Sequence, residues 1–574
     1  MRGRASTGMP TQDTGADLFV DALETYGVSH VFGNPGTTEL PVMEALPGSD
    51  LEYVLGLHED VAVGAAAGYA QTRRYHGHHD PAVLPAGVVN LHITPGLAHG
   101  LGNLYDARMA GAPLVVTAGN HERDFRHEEP LLTGDLETMA DQFTKWSAEV
   151  LDARALPTML RRAFRVALTP PTGPVFLALP VDVMVETAAG EPEPLGPIPN
   201  AGGGDPAEIE RAADLLAEAD DPVLIAGDGI ARAGAVESAV DLAETAGLRV
   251  HGEILACEID FPAEHEQWIS YVPPDEGLAS MLMGTDTLLF VGCSTNTTLL
   301  RHEDALIEAG TTCIHVSDDA WQIGKNQPAD AAVLGDPGLV MDAIAERVAD
   351  RLDDGEREAR LERVRTMGES LSSTIESMGE DEKAEGETRA SKAELVDAMR
   401  SVAPDAAIVD EGVTAKYSML TRWPFEPEGM LSNKGGGLGY GLPAAVGAAL
   451  AERERGRAGG RSREVIGFVG DGSYLYYPQT LYTAARHDLD LTVVVPDNRN
   501  YRILKDNTLS MFGGTDEDHD YVGMDIDPPV DIPTNAESHG ARGRLVETPE
   551  GIAPALEEAL GREGPDVLDV LVHD

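Results

Sequence analysis

The chain has 574 residues, and its 42 Lys and Arg stand against 97 Asp and Glu, a formal net charge of −55. Such a balance excludes the basic footprint of a nucleic-acid-binding protein and docking on an anionic membrane surface, while an apolar fraction of 42% excludes a wholly disordered acidic chain. Seven of the basic residues are Lys, and an acidic, Lys-poor surface of this kind reads as that of a halophilic cytoplasmic protein whose self-repulsion is screened by salt.

Short apolar runs alternate with helical patterns along the chain, which predicts an α/β fold with parallel sheets. The polar start, Met1 to Asp13, lacks the apolar core of a signal peptide. Leu18, Phe19, Ala22, Leu23 and Tyr26 share one helical face, and Val31-Phe32 then enters the turn Gly33-Asn34-Pro35-Gly36. Strands are predicted at 114–117 and 175–179, within a first domain at 14–190. The tract His76-Gly77-His78-His79 reads as a solvated loop rather than a metal site. Ala201-Gly202-Gly203-Gly204 reads as a linker. A second domain, at 205–350, has strands predicted at 223–226, 288–291 and 313–316. Cys257, Cys293 and Cys313 are too few for a disulfide framework and lack metal-ligand spacing; Cys293 and Cys313, in apolar runs, read as buried thiols. The charged stretch 353–390 reads as an exposed helix plus linker. A third domain, at 391–574, has strands predicted at 407–409, 465–469, 492–495 and 567–571. No apolar run reaches the roughly 18 residues of a membrane span.

Parallel sheets bind ligands beyond the carboxyl ends of their strands. The run Val465 to Val469 ends in Gly470-Asp471-Gly472-Ser473, and the next predicted strand ends in Pro496-Asp497-Asn498-Arg499-Asn500. Asp471 and Asn498 thus lie at the ends of two strands joined by one helical crossover. Oxygen ligands beside a Gly-rich turn suit a magnesium–diphosphate pair. Gly227-Asp228-Gly229 also follows a strand, but the corresponding distance onward falls on Leu255 and no Asn pair, so it reads as an ordinary βα turn. In Leu57-His58-Glu59-Asp60, Glu59 leads a helix of small residues and by itself reads equally as a surface acid. Gly435-Gly436-Gly437-Leu438-Gly439 opens an Ala-rich helix, for which close packing is a sufficient reason. Glu411, in Asp410-Glu411-Gly412, follows a strand and by itself could be a solvated loop acid. Thr295, Asn296 and Thr297 line either a pocket or a plain turn.

Taken together these segments resemble the thiamine-diphosphate-dependent enzymes. Gly470 to Asn498 is similar to their cofactor motif, which opens with GDG and closes with NN; Asp497 stands here for the first Asn. The resemblance implies Mg²⁺ held by Asp471, Asn498 and the backbone carbonyl of Asn500. It implies contacts to thiamine diphosphate from Glu411, Gly436, Leu438, Gly470, Gly472 and Ser473, with Leu438 propping the cofactor and the Gly436 carbonyl accepting from its amino group. Glu59 matches the carboxylate that activates the aminopyrimidine ring.

Val31-Phe32-Gly33-Asn34-Pro35-Gly36-Thr37-Thr38-Glu39-Leu40-Pro41 looks like the benzoylformate decarboxylase branch, whose motif reads GNPGSNELP. Asn90-Leu91-His92, 114–119, Lys145-Trp146-Ser147, Gly173-Pro174-Val175, and Phe261-Pro262 with His265 match neighbouring segments. Thr37 falls where that branch has a substrate-binding serine, and His92 on its first active-site histidine, a candidate proton donor or acceptor, with a satisfied core histidine as the alternative. The second active-site histidine has no counterpart: ungapped counting gives Leu299, with His302 three residues later.

The likeness covers residues 14–350 and 391–574 and implies pyrimidine-binding, Rossmann-like middle and diphosphate-binding domains. It implies a homodimer or homotetramer with the cofactor between chains. The implied activity is non-oxidative decarboxylation of a benzoylformate-like 2-oxo acid to an aldehyde and CO₂, with Glu59, His92 and Thr37 catalytic. Acetolactate-synthase-like carboligation is an alternative; no FAD signature is identifiable to accompany it. A 2-hydroxyacyl-CoA lyase would need a basic nucleotide site that the Lys-poor middle block lacks. A non-catalytic thiamine-diphosphate-binding subunit is the alternative of another class.

Overall fold

The computed structural model describes residues 13–188, 190–293, 304–377 and 386–574. The polypeptide forms two compact units, one ending at Ile198 and one beginning at Pro199. The first unit is built on one sheet: β1 (His30–Gly33), β2 (Glu52–Leu55), β3 (Gly87–Leu91), β4 (Leu114–Asn120), β5 (Ser147–Glu149) and β6 (Val175–Pro180), in the order β2-β1-β3-β4-β6-β5. The second unit has two sheets. One contains β7 (Pro222–Ala226), β8 (Arg249–Gly252), β9 (Trp268–Tyr271), β10 (Thr287–Val291), β11 (Thr312–Ser317) and β12 (Ala331–Leu334), in the order β12-β11-β10-β7-β8-β9. The other contains β13 (Ala407–Glu411), β14 (Met430–Ser432), β15 (Val465–Val469), β16 (Thr492–Asp497), β17 (Arg542–Val546) and β18 (Asp566–Leu571), in the order β14-β13-β15-β16-β18-β17. All strand pairings within these sheets are parallel.

Helical crossovers between parallel strands cover both faces of each sheet, so the central strands are buried throughout and read as continuous apolar runs. Every strand predicted from the sequence lies inside an observed one. Each sheet reverses its winding between β1 and β3, between β7 and β10, and between β13 and β15, and the first and third reverse again at the edge strands β5 and β17. Loops leaving adjacent strands at the central reversals diverge to opposite faces and open a crevice at the carboxyl ends.

Three local expectations change. The tract 76–79 is the last turn of the helix Glu59–His79, with His76 buried; the helix stops only at Asp80, which precedes Pro81 and is extended. Over 354–371 the helix Asp354–Ser377 is exposed on one face only. Arg360, Val364 and Leu371 are buried, and the Arg360 guanidinium donates to the carbonyls of Ala217, Ala219 and Ala246 at the ends of two neighbouring helices. Cys257 and Cys313 are buried, whereas Cys293, just beyond β10, is half-buried.

Candidate active site

The crevice between β1 and β3 gathers a set of acids and imidazoles. β1 runs into Asn34-Pro35-Gly36 and the short turn Thr37–Glu39, and β3 delivers His92 to the start of the helix Ile93–His99. Glu39 is buried and accepts from four donors. Its Oε1 takes the Thr38 hydroxyl (2.7 Å) and the Gly119 N–H (2.9 Å), and its Oε2 takes the Gly36 N–H (2.9 Å) and His92 Nδ1 (2.8 Å). A carboxylate can only accept, so it fixes the proton of His92 on Nδ1 and leaves Nε2 as the basic atom. The glycines make room: a Cβ at Gly36 would lie 2.1 Å from His92 Nδ1, and one at Gly119 2.3 Å from Glu39 Oε1. Thr38, not Thr37, touches the imidazole, at 3.3 Å; Thr37 is exposed on the same turn.

Glu59 opens its helix next to this pair. A Cβ on Gly96 would lie 2.9 Å from His92 Cβ and 3.0 Å from Glu59 Oε1, so one glycine separates the histidine from the acid. Glu59 is nearly buried, and its Oε2 lies 3.1 Å from Nδ1 of the half-exposed His99. The His58 and His99 rings stack at 5.2 Å. Asp60 ties the helix in place by accepting from the Asn103 N–H at 2.8 Å. The buried Tyr53 hydroxyl has no hydrogen-bond partner, and burial followed by the charges of Glu39 and Glu59 pushes its ionisation up.

The crevice between β13 and β15 belongs to the second unit. Gly470 follows β15, and Asp471 starts a short helix through Tyr474. Leu438, Gly470, Asp471, Gly472, Ser473, Asn498 and Asn500 line one cleft. Gly472 is required there, since a Cβ would meet the Tyr501 ring at 2.5 Å. Asp471 Oδ1 accepts from the Gly472 N–H (2.9 Å), while its buried Oδ2 has no hydrogen-bond partner. Burial, and then the facing Asp497 carboxylate, push the Asp471 carboxyl up. The same two causes push Asp569 up to about 7. The Asn500 Oδ1 is likewise buried and unpartnered. Asn498 donates its side-chain N–H to Asp574 (2.8 Å). A cluster of buried, under-satisfied oxygens with excess negative charge fits a hard divalent cation.

Glu411, at the end of β13, does not reach solvent. Its carboxylate accepts from the N–H groups of Gly439 (2.9 Å) and Gly441 (2.8 Å) and from Asn433 Nδ2 (3.0 Å). Burial pushes it up to about 7 against the pull of those donors. It therefore braces the turn that carries Leu438. Gly436 and Gly439 on this turn have φ of +78° and +103°, a region glycine enters without strain. Sequence reasoning did not single out Glu39, Thr38, Tyr53 or His99; Glu39 and Thr38 lay within a segment it quoted. Residues 294–303, which include Thr295, Asn296, Thr297, Leu299 and His302, lie outside the described residues.

Three parallel α/β sheets, with a buried, helix-opening Glu at one switch point and an oxygen-lined, Gly-rich cleft at another, define a thiamine-diphosphate-binding architecture. Three stretches match the thiamine pyrophosphate enzyme profiles: the N-terminal TPP binding domain at residues 13–144, the central domain at 209–344 and the C-terminal TPP binding domain at 412–570. The chain belongs to the thiamine-pyrophosphate-dependent enzymes, in the family that holds decarboxylases and acetolactate synthases. It is 30% identical over 559 residues to benzoylformate decarboxylase of Pseudomonas aeruginosa, covering 96% of this chain and 97% of the relative. It is 27% identical over 596 residues to an acetolactate synthase large subunit of Parasynechococcus marenigrum, covering 100% of this chain and 89% of the relative. The solved thiamine diphosphate-dependent 4-hydroxybenzoylformate decarboxylase of Rhodococcus jostii superposes with a TM-score of 0.82 at 28% identity, covering 98% of this chain and 99% of that one. Among the described residues no helix is long and apolar enough to cross a membrane.

Proposed function

We propose that the protein catalyses the thiamine-diphosphate- and Mg²⁺-dependent, non-oxidative decarboxylation of a benzoylformate-like 2-oxo acid, releasing an aldehyde and CO₂. The observation that carries this reading is the His92–Glu39 pair set one glycine from Glu59. When bound, the cofactor supplies a carbon nucleophile and an electron sink for the carboxylate's bonding pair. Asp471, Asn498 and Asn500 hold the metal, and Gly470, Gly472, Ser473, Gly436 and Leu438 receive the cofactor. Glu411 acts behind them through the turn it braces. Glu59 holds the proton that the cofactor's pyrimidine ring requires. His92, with its Nδ1 proton fixed by Glu39, uses Nε2 to take or give a proton at the substrate oxygen and carbon. The exposed Thr37 hydroxyl orients the substrate carboxylate. The working form is a homodimer or homotetramer in the cytoplasm.

Acetolactate-synthase-like carboligation is the second reading, favoured by the acetolactate synthase relative. The test is CO₂ release from benzoylformate, phenylpyruvate, branched-chain 2-oxo acids and pyruvate, with thiamine diphosphate and Mg²⁺, in about 2 M KCl to screen the surface charge. Release that needs both cofactors and falls about 100-fold or more in Glu59→Gln is expected. Tight cofactor binding with no turnover of any acid would instead mark a non-catalytic subunit.

A further inference from the structure

The switch point of the middle sheet, between β7 and β10, is filled by the protein itself. Asp228 follows β7 and is 1% exposed. Its Oδ1 accepts from the N–H groups of Cys257 (2.8 Å) and Glu258 (3.1 Å). Its Oδ2 pairs with Lys434 Nζ, and Arg232 stands 3.6 Å away. Glu253, just beyond β8, accepts through Oε1 from Lys434 Nζ (2.9 Å) and from the Asp228 N–H (3.1 Å). Among the described residues the turns after β7 and β10 also approach each other closely. A Cβ on Gly227 would lie 2.5 Å from Cys293 Cα, and one on Gly229 2.6 Å from Gly292 Cα.

Lys434 is not part of the middle sheet. It follows β14 and immediately precedes the Gly435–Gly437 turn that carries Leu438. Its side chain is 7% exposed, so this ammonium is spent wholly inside the protein. Its neighbour Asn433 is fixed from both sides. The Asn433 carbonyl accepts from Cys257 Sγ (3.2 Å), beside Asp228, while its side chain donates to Glu411 and to the Gly437 carbonyl and accepts from the Gly436 N–H (2.7 Å). Among the described residues Lys434 pairs with Asp228 and Glu253, and Arg232 with Asp228 and Glu258, with the buried Asp260 close by. A buried ion pair of this kind adds little net stability against an apolar replacement, but it fixes register strongly, because each charge tolerates one location only.

We propose that Lys434 is a positioning residue. Asp228 and Glu253 form a two-carboxylate socket in the middle domain that holds Lys434, and thereby sets the 433–438 turn in the shape that receives thiamine diphosphate. This deepens the reading of the β13–β15 cleft and rests on it. The test compares wild type, Lys434→Met, Asp228→Asn and the double variant in three measurements on the full chain: thermal unfolding, titration with thiamine diphosphate and Mg²⁺ by calorimetry, and hydrogen exchange of 433–441 without cofactor. Lys434→Met alone removes the ammonium that Asp228 and Glu253 share and lowers the unfolding temperature; the double variant removes the charge imbalance and recovers most of it. Cofactor affinity falls about tenfold or more in both, exchange of 433–441 rises in both, and kcat at saturating cofactor stays near wild type. A double variant that regains cofactor affinity and exchange protection together with stability would overturn the proposal, leaving the pair merely structural. A wild-type chain that binds no thiamine diphosphate would instead remove the reading of the cleft, while its exchange data would still separate the variants.

Discussion

Glu39 offers the sharpest perturbation of the first unit. Its two oxygens accept from the Thr38 hydroxyl, the Gly119 N–H, the Gly36 N–H and His92 Nδ1, all between 2.7 and 2.9 Å. Glu39→Gln replaces one oxygen by an NH₂ group, so in either orientation one backbone N–H, that of Gly119 or of Gly36, faces a donor, while the Thr38 hydroxyl or the His92 imidazole must reverse to accept. At about 1.5–3 kcal/mol for a hydrogen bond to a charged group, the stranded N–H makes the substitution cost about 1.5–3 kcal/mol. In a unit of this size that corresponds to an unfolding temperature lower by about 3–12 °C. With the NH₂ at the Oε2 position the imidazole also loses the acceptor that sets its tautomer, so kcat should fall by about a hundredfold or more even where the protein remains folded. Thermal scans of the cofactor-free chain, with hydrogen exchange across 30–45 to locate the loss, measure the first effect. Steady-state kinetics below the unfolding temperature measure the second. A variant that unfolds within about 2 °C of wild type and keeps its kcat would refute the convergence of donors on Glu39 as the organising feature of this crevice.

Asp471→Asn removes one of two facing buried acids, so the cofactor-free chain should be at least as stable as wild type at pH 9 while losing stabilisation by Mg²⁺ and thiamine diphosphate; calorimetric scans with and without the pair check both. Glu411 has a folded pKa raised to about 7. Its contribution is therefore fully present below the unfolded value near pH 4.5 and is lost as pH rises through 7, an effect of at most about 3 kcal/mol. Urea midpoints from pH 4.5 to 8 should show this fall, and Glu411→Gln should flatten it. The net charge of −55 predicts unfolding temperatures that climb between about 0.1 M and about 3 M KCl; a flat response would contradict a halophilic surface.

Most central strands were legible because burial on both faces leaves uninterrupted apolar runs, and 465–469 matched at both ends, but the equally buried β1, β3 and β8 were not singled out. Edge strands were not. Arg542–Val546 carries two Arg and is largely exposed, as a solvated sheet edge should be, and Glu52–Leu55 shows no clear alternation. The shared strand order of the first and third sheets is a property of pairing in space, which no residue spacing encodes. The His tract was misplaced because polar side chains were equated with a loop, although no Pro interrupts the helix before Pro81. At the sites, Glu59, His92 and Asp471 stood out through local motifs. Glu39 did not, since its meeting with His92 spans 53 residues of sequence. Lys434 meets Glu253 across 181 residues, and Asp228, its other partner, looked like any βα turn.

The measurement that bears most directly on the proposed chemistry is the fate of the acyl carbon. Benzoylformate labelled with carbon-13 at the keto position is incubated with the holoenzyme in high KCl and followed by carbon NMR. Conversion of the label to free benzaldehyde, abolished in Glu59→Gln, is the predicted result. Label appearing only in a ketol ligation product, with no free aldehyde at any time, would contradict the decarboxylase reading and place the chain with the carboligases.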